Sequence, residues 1–328
     1  MEDTLKSTAT VESAGVVVAE RVRPLAVDGR RSRAMSERII GMVLMICGGL
    51  SILTTAGIVA VLIFETVEFF RMVSVWEYLT STTWDPARNA SAGEWGVLPL
   101  ISATLAYALV GLLLSVPVGL AIAIYLSEYA PPAIRSVVKP VLELLAGVPT
   151  IVYGFFALTF LTPQILQRFD STIGIFNVLA GGLAIGVLTI PLVASLSEDA
   201  MRAVPRSLRE GAFALGATRF ETSMRVILPA AFSGVVASII LALGRAVGET
   251  MIVVIAGGAQ TGGVPTNLFA SAQSMTSYIV NVLGGEASRG GDARYYSLFA
   301  IGLTLLIITL GLNLISRALI RRFREVYE

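Results

Sequence analysis

Arg245 and Glu249 stand four residues apart inside the apolar stretch 229–256. On a continuous helix that spacing puts both side chains on one face. Charges at membrane depth are costly, so such groups ordinarily turn to a bundle interior or an aqueous path. Two roles are open. The pair either neutralises itself and locks the bundle, or Arg245 offers positive potential to a passing anion while Glu249 holds or gates it. Gly234, Ser238 and Ala242 lead into the same face, which ends at Ile252. This small and polar stripe suits close helix contact or a pore wall. A second group lies in 142–156, where Pro149 and Thr150 stand beside Gly147, Tyr153 and Gly154. Pro149 is expected to break one hydrogen bond mid-helix, with the hydroxyls of Thr150 and Tyr153 at depth. Such a kinked helix either lines a path and hinges, or is a packing kink relieved by Thr150.

Enzymatic chemistry has little to work with. The chain has no histidine, which removes the commonest general base and metal ligand. Its lysines are Lys6 and Lys139, neither within a GxxxxGK[ST] phosphate loop. Glu249 is the one clear buried acid, because Glu65 and Glu68 read as interfacial, so a membrane aspartyl protease lacks its pair. The single cysteine, Cys47, excludes an internal disulfide and is expected to be a small core residue. No catalytic residue, metal site or cofactor is expected. A net charge of +1 gives no reason to expect nucleic acid.

The elements that must carry these residues are membrane helices. Of 328 residues, 55% are hydrophobic and 14% charged, and mean hydropathy is +0.78. Apolar runs of about 20 residues or more occur at 39–64, 98–126, 142–161, 173–196, 229–256 and 297–316. The expected fold is an all-α polytopic membrane protein with six transmembrane helices. Arginine and lysine concentrate before the first run, in 127–140, in 197–225 and after the last run, so both termini are expected on the cytoplasmic side. Residues 1–38 are polar and lack apolar periodicity, and are expected to be a disordered cytoplasmic tail ahead of a six-helix membrane domain 39–328. A natural start at Met35 would give a conventional membrane-protein N-terminus. The outer segments 65–97 and 257–296 are candidates for contact with an extracytoplasmic partner, and the apolar run 278–283 is expected on the membrane surface or re-entering it.

Between the fourth and fifth runs lies a basic loop, 197–228. Ser207 and Glu210 form a capping-box pattern, predicting a helix from Leu208. Gly216 suits a left-handed C′ position that ends it. Thr218 and Glu221 form a second capping box, opening a helix towards Leu228 and Pro229. Leu208, Ala212 and Leu215 recur on one face. That face either fills a groove on another protein or packs on its own bundle.

The run Glu210, Ala212, Gly216, Leu228 and Pro229 resembles the cytoplasmic signature of ABC-importer membrane subunits, with Gly211 and Val226 as minor departures. Together with 125–132, 144–154, 200–221 and 244–251, it resembles the phosphate-specific ABC importer permeases, PstC-type, over roughly 39–328. Thr150 stands where serine is usual in that family. The resemblance implies a type I ABC permease fold in a bacterial plasma (inner) membrane. It implies a homologous PstA-type companion, docking ABC ATPase subunits that hydrolyse the ATP, an extracytoplasmic phosphate-binding protein and surrounding membrane lipid. Glu210, Ala212, Leu215, Gly216, Leu228 and Pro229 would then contact the ATPase. Pro149, Thr150, Arg245 and Glu249 would border the path of inorganic phosphate. Another oxyanion, such as molybdate, tungstate or sulfate, is the alternative substrate. A regulatory protein that senses phosphate is the alternative function.

Overall fold

A computed structural model describes residues 30–86, 93–285 and 291–322, with side chains from 37 to 318 within those ranges. Residues 1–29, and so most of the expected tail, lie outside the described residues. The expected boundary at 38 is corrected, because helix α1 runs Arg30–Met72. Helix-forming residues such as Ala34, Met35 and Glu37 extend it beyond its apolar part. The chain divides into two units, Met1–Val59 and Ala60–Glu328. In the first, α1 exposes nearly every described side chain, Cys47 included, so Cys47 is not the core residue expected.

The second unit is almost wholly helical. After α1 come α2 (Val75–Thr80) and two short strands, β1 (Thr83–Asp85) and β2 (Glu94–Trp95). Helix α3 (Leu98–Ile124) continues through a π-helical turn at Tyr125–Tyr129, followed by α4 (Pro132–Ala146). Helix α5 (Thr150–Phe156) widens into π-helical turns at Ala157–Leu166 and closes with α6 (Gln167–Phe169). Helix α7 is Val178–Arg202, and α8 is Arg206–Ala214. Short helices α9 (Arg219–Thr222) and α10 (Leu228–Ala230) flank a π turn and lead into α11 (Phe232–Val247). Strand β3 (Gly262–Gly263), α12 (Met275–Gly284) and α13 (Ala293–Arg322) complete the order.

Among the described residues, five helical stretches are long and apolar enough to span a membrane: Glu37–Met72, Leu98–Tyr129, Thr150–Phe169, Val178–Arg202 and Ala293–Ala318. The pair Arg219–Ala230 and Phe232–Val247, bent by 73°, makes a sixth when counted as one broken span. Two expected spans are not continuous. The run 142–161 breaks at Gly147–Pro149, and 229–256 breaks after Val247.

The centre is the pair α3 and α7. Glycines bring them together: a Cβ on Gly182 would stand 2.6 Å from Val110 Cβ, and one on Gly186 2.9 Å from the Gly111 carbonyl. Backbones that approach this closely gain dispersion contacts, the main driving force where lipid offers no hydrophobic effect. Asn177 caps α7 by accepting from the Ala180 amide at 2.6 Å.

At the end opposite α8, Trp84, Trp95, Tyr78 and Tyr278 form a buried aromatic cluster with Phe69. A three-stranded sheet, ordered β2-β1-β3, holds it, with Trp84 paired to Trp95 and Gly262. The run 278–283 belongs to α12, whose Tyr278 and Val282 are buried in that cluster. It is therefore helical and packed through Tyr278 and Val282, with Leu283 exposed.

Candidate functional site

The loop 197–228 folds as a helix, a glycine turn and a helix. Helix α8 starts at Arg206 behind Pro205, two residues earlier than the Ser207 pattern implied, and makes no side-chain cap. Proline already fixes the entry, so Ser207 falls inside the helix. The other end forms as expected. Gly216 has φ +83°, its amide donates to Phe213 O, and the Ala217 amide donates to Ala212 O, a Schellman closure. Thr218 and Glu221 form the full capping box.

The expected apolar face divides. Leu208 packs on the cluster of Ala123, Met201 and Ile227, and Ala212 is half-buried. Leu215 projects, 91% exposed, with Phe213 and Phe220 exposed near it and Glu210 on the outside of the helix. Leu228 packs inward with Ile227 and Ala231, while Pro229 is exposed. The protruding part is thus Phe213, Leu215, Gly216 and Phe220, and Leu208 and Leu228 root it.

Behind this loop lies an ion-pair cluster that the sequence reading missed. Glu198 on α7 is fully buried and accepts from Arg135 Nε at 2.7 Å and Lys139 Nζ at 2.8 Å, both on α4. Lys139 also binds Asp199. Burial works against the charge on Lys139, but its bonds to Asp199 and Glu198 outweigh that and hold its pKa above the usual lysine value. Glu249 is therefore not the one buried acid. Arg209 of α8 donates to the Met201 and Val204 carbonyls at 2.8 and 2.9 Å and to Glu128 at 3.3 Å. A buried carboxylate needs such partners. The signal available in sequence was the pairing of Arg135 and Lys139, four apart, with Glu198 and Asp199 at the same membrane face.

Both expected groups sit at helix breaks. Helix α4 ends before Gly147, and Pro149 is the N-cap of α5. Pro149 is therefore not mid-helix: it starts a helix, where its missing N–H costs nothing. Thr150 is the first residue of α5 and is half-buried, and the Tyr153 hydroxyl spans the break to Leu145 O at 2.9 Å. Helix α11 ends at Val247, and the chain resumes helical form at Met251.

Arg245 and Glu249 consequently do not share a helix face. Glu249 is buried and caps the helical turns that follow it. Its Oε1 accepts the Met251 and Ile252 amides at 3.1 and 3.3 Å, and its carbonyl accepts from Thr276 Oγ1 at 2.8 Å. Arg245, in the last turn of α11, is exposed and makes no ion pair among the described residues. Its charge is felt at Tyr153. The two breaks are neighbours, because Gly154 of α5 lies against Ile252 and Ile255, with an ideal Cβ 3.1 Å from Ile255 Cβ. No ion pair joins Arg245 and Glu249 in this conformation. The stripe Ser238–Ala242 serves helix contact, Ser238 Oγ meeting Ser197 Oγ at 2.7 Å on α7. Among the described residues no group of acidic, cysteine or histidine side chains could hold a metal ion.

Residues 115–325 match the sequence family described as "Binding-protein-dependent transport system inner membrane component". The chain is 37% identical over 228 residues to the probable ABC transporter permease protein YqgH of Bacillus subtilis, covering 69% of this chain and 72% of that one. It is 31% identical over 240 residues to the phosphate transport system permease protein PstC of Mesorhizobium japonicum, covering 68% and 69%. PstC of Xylella fastidiosa (strain Temecula1) is 32% identical over 184 residues, a match that spans 51% of this chain and 56% of that protein's length. Among solved structures, a bacterial alginate ABC transporter in complex with an alginate pentasaccharide-bound periplasmic protein shares the fold with TM-score 0.60 at 16% identity, covering 93% and 100% of the two chains. An inward-facing MetNI methionine ABC transporter does so with TM-score 0.52 at 18% identity, covering 70% and 95%. The spans and the family match together establish that the chain belongs to the binding-protein-dependent transport system inner membrane component family, as a membrane-embedded permease subunit of an ABC importer and not an enzyme.

Proposed function

We propose that this permease translocates inorganic phosphate across a bacterial plasma (inner) membrane, with both termini cytoplasmic. Its companion is a homologous PstA-type subunit, and an extracytoplasmic phosphate-binding protein delivers the substrate. The observation that carries the reading is Arg245. Among the described residues this permanent cation makes no ion pair, and it stands in the last turn of α11 beside a helix break, where an anion crossing hydrocarbon needs compensation. Glu249 is committed to backbone amides and does not cancel it. The PstC relatives supply phosphate as the preferred anion. Phe213, Leu215 and Gly216 form the face that meets the ATPase, with Glu210 beside it and Ala212, Leu228 and Pro229 holding that face in place. ATP binding draws the docking loops together, and the breaks at Gly147–Pro149 and Gly248–Thr250 absorb the resulting change in the path.

The test is ATPase activity of the reconstituted complex with its binding protein, challenged with phosphate, arsenate, sulfate and molybdate. Stimulation by phosphate and arsenate alone is expected. Stimulation by sulfate or molybdate instead would retain the importer and overturn the substrate.

A further inference from the structure

Beside the docking helix lies a cleft of about 420 Å3. One wall is the docking loop itself, through Phe213 of α8 and Arg219 at the start of α9. The other is the connector from α3 to α4, through Glu128, Tyr129, Ala130 and Pro131. Arg209 of α8 ties the walls together by donating to Glu128 at 3.3 Å.

The rim is apolar and open to a partner. Tyr129 is 39% exposed and Phe213 45%, Pro131 is exposed, and the same loop exposes Leu215 and Phe220. Large apolar side chains gathered on an exposed surface mark a contact site. The charges of the cleft are unequal. Glu128 is already engaged, because its Oε1 accepts from Ser127 Oγ at 2.6 Å as well as from Arg209. Arg219 is exposed and makes no ion pair among the described residues. The cleft therefore offers two aromatic rings and one uncompensated cation.

We propose that this cleft is a second contact for the ATPase subunit. It takes an aromatic or aliphatic side chain between Tyr129 and Phe213, with a carboxylate beside it on Arg219. The proposal rests on the docking reading above and deepens it. Two observations favour the ATPase as occupant. Phe213 belongs both to the protruding face of α8 and to the cleft, so a protein seated on that face reaches the cleft without a gap. A specific interface also engages about 20–30 residues a side, and α8 has only 9. The ATPase must rest on more of this surface than one short helix. Seated here, it bears on Glu128 and so on the joint that Arg209 makes with the Met201 and Val204 carbonyls.

The experiment uses the assembled complex of permease, companion and ATPase in membranes. A benzoylphenylalanine photo-cross-linker replaces Tyr129 in one sample and Leu215 in another. Both are expected to capture the ATPase, and the segment captured from position 129 should carry an Asp or Glu next to an apolar residue. Capture of the ATPase from 215 alone, with lipid, companion or nothing captured from 129, overturns the second contact and leaves the docking helix intact. Capture of the ATPase from neither position overturns the docking reading and the cleft with it. Arg219→Glu tests the charge. The side chain has no ion pair to lose, and an acid is favourable in the first turn of α9. ATPase retained on tagged permease should fall about tenfold in this variant at low salt, and wild-type retention should fall as salt rises. Equal retention in Arg219→Glu and wild type overturns the acidic partner assigned to the cleft.

Discussion

Two side chains four apart in sequence perform opposite tasks here. Glu249 spends its charge on two backbone amides and so sets where the next helical turns begin. Glu249→Gln keeps an acceptor oxygen at the same place, and the thermal midpoint of the assembled complex is expected to stay near wild type. Glu249→Ala removes the cap, costing about 1 kcal/mol, and the midpoint should fall by a few degrees. Equal midpoints for the two variants would show that capping is not the role. Arg245 has no comparable structural tie, so Arg245→Gln should assemble normally and lose transport. Failure of assembly would make Arg245 a structural residue. The sequence could not separate these roles, because the four-residue spacing is informative only if the helix continues. Gly248 ends it, and nothing in the local pattern distinguishes a terminating glycine from one that packs.

Elements show the same division between what was legible and what was not. Apolar length located the spans, since a bilayer demands it of any helix that crosses. The glycine turn at 216 and the capping box at Thr218 were also legible, because each is a local arrangement of atoms that the residues themselves impose. Hydropathy is blind to breaks within an apolar run, which is why 142–161 and 229–256 looked continuous. It is equally blind to Glu198, which ends such a run and reads as interfacial. The docking element supports a direct test. Gly216 has open space where a Cβ would go, but its φ of +83° costs an L side chain about 1–2 kcal/mol. Gly216→Val should therefore distort the turn and abolish stimulated ATPase, while Gly216→Asn is largely tolerated. Leu215→Asp should uncouple as well without loss of thermal stability, because that side chain packs on nothing in this chain. Normal uptake in both Gly216→Val and Leu215→Asp would remove the docking assignment.

Within the second unit, α8 is tied to the transmembrane core by a polar joint at Arg209 beside the apolar root of Leu208. Arg209 joins α8 to the carbonyl end of α7 and to Glu128 beyond α3, while Glu198 joins α7 to α4. Helices α7 and α3 in turn are packed closely through their glycines. Helices α4 and α5 are separated by the Gly147–Pro149 break, as α11 is from the turns that start at Met251. In the proposed mechanism, motion delivered through α7 is taken up at these breaks. Cutting the polar joint should then leave the parts folded but weaken the coupling between them. Arg209→Gln removes the charged fork from Glu128 and the Met201 and Val204 carbonyls, while Glu128 keeps the bond from Ser127 Oγ and Met201 O the bond from the Val204 amide. The complex is expected to assemble and hydrolyse ATP, with phosphate uptake per ATP reduced at least tenfold. Glu198→Gln instead leaves Arg135 without its carboxylate and Lys139 with Asp199 alone, with an expected loss of about 1–3 kcal/mol and poorer assembly. Measured side by side, ATPase, uptake and assembly separate a coupling joint from a stabilising one. An Arg209→Gln complex that keeps the wild-type ratio of uptake to hydrolysis would show that force reaches the path by another route.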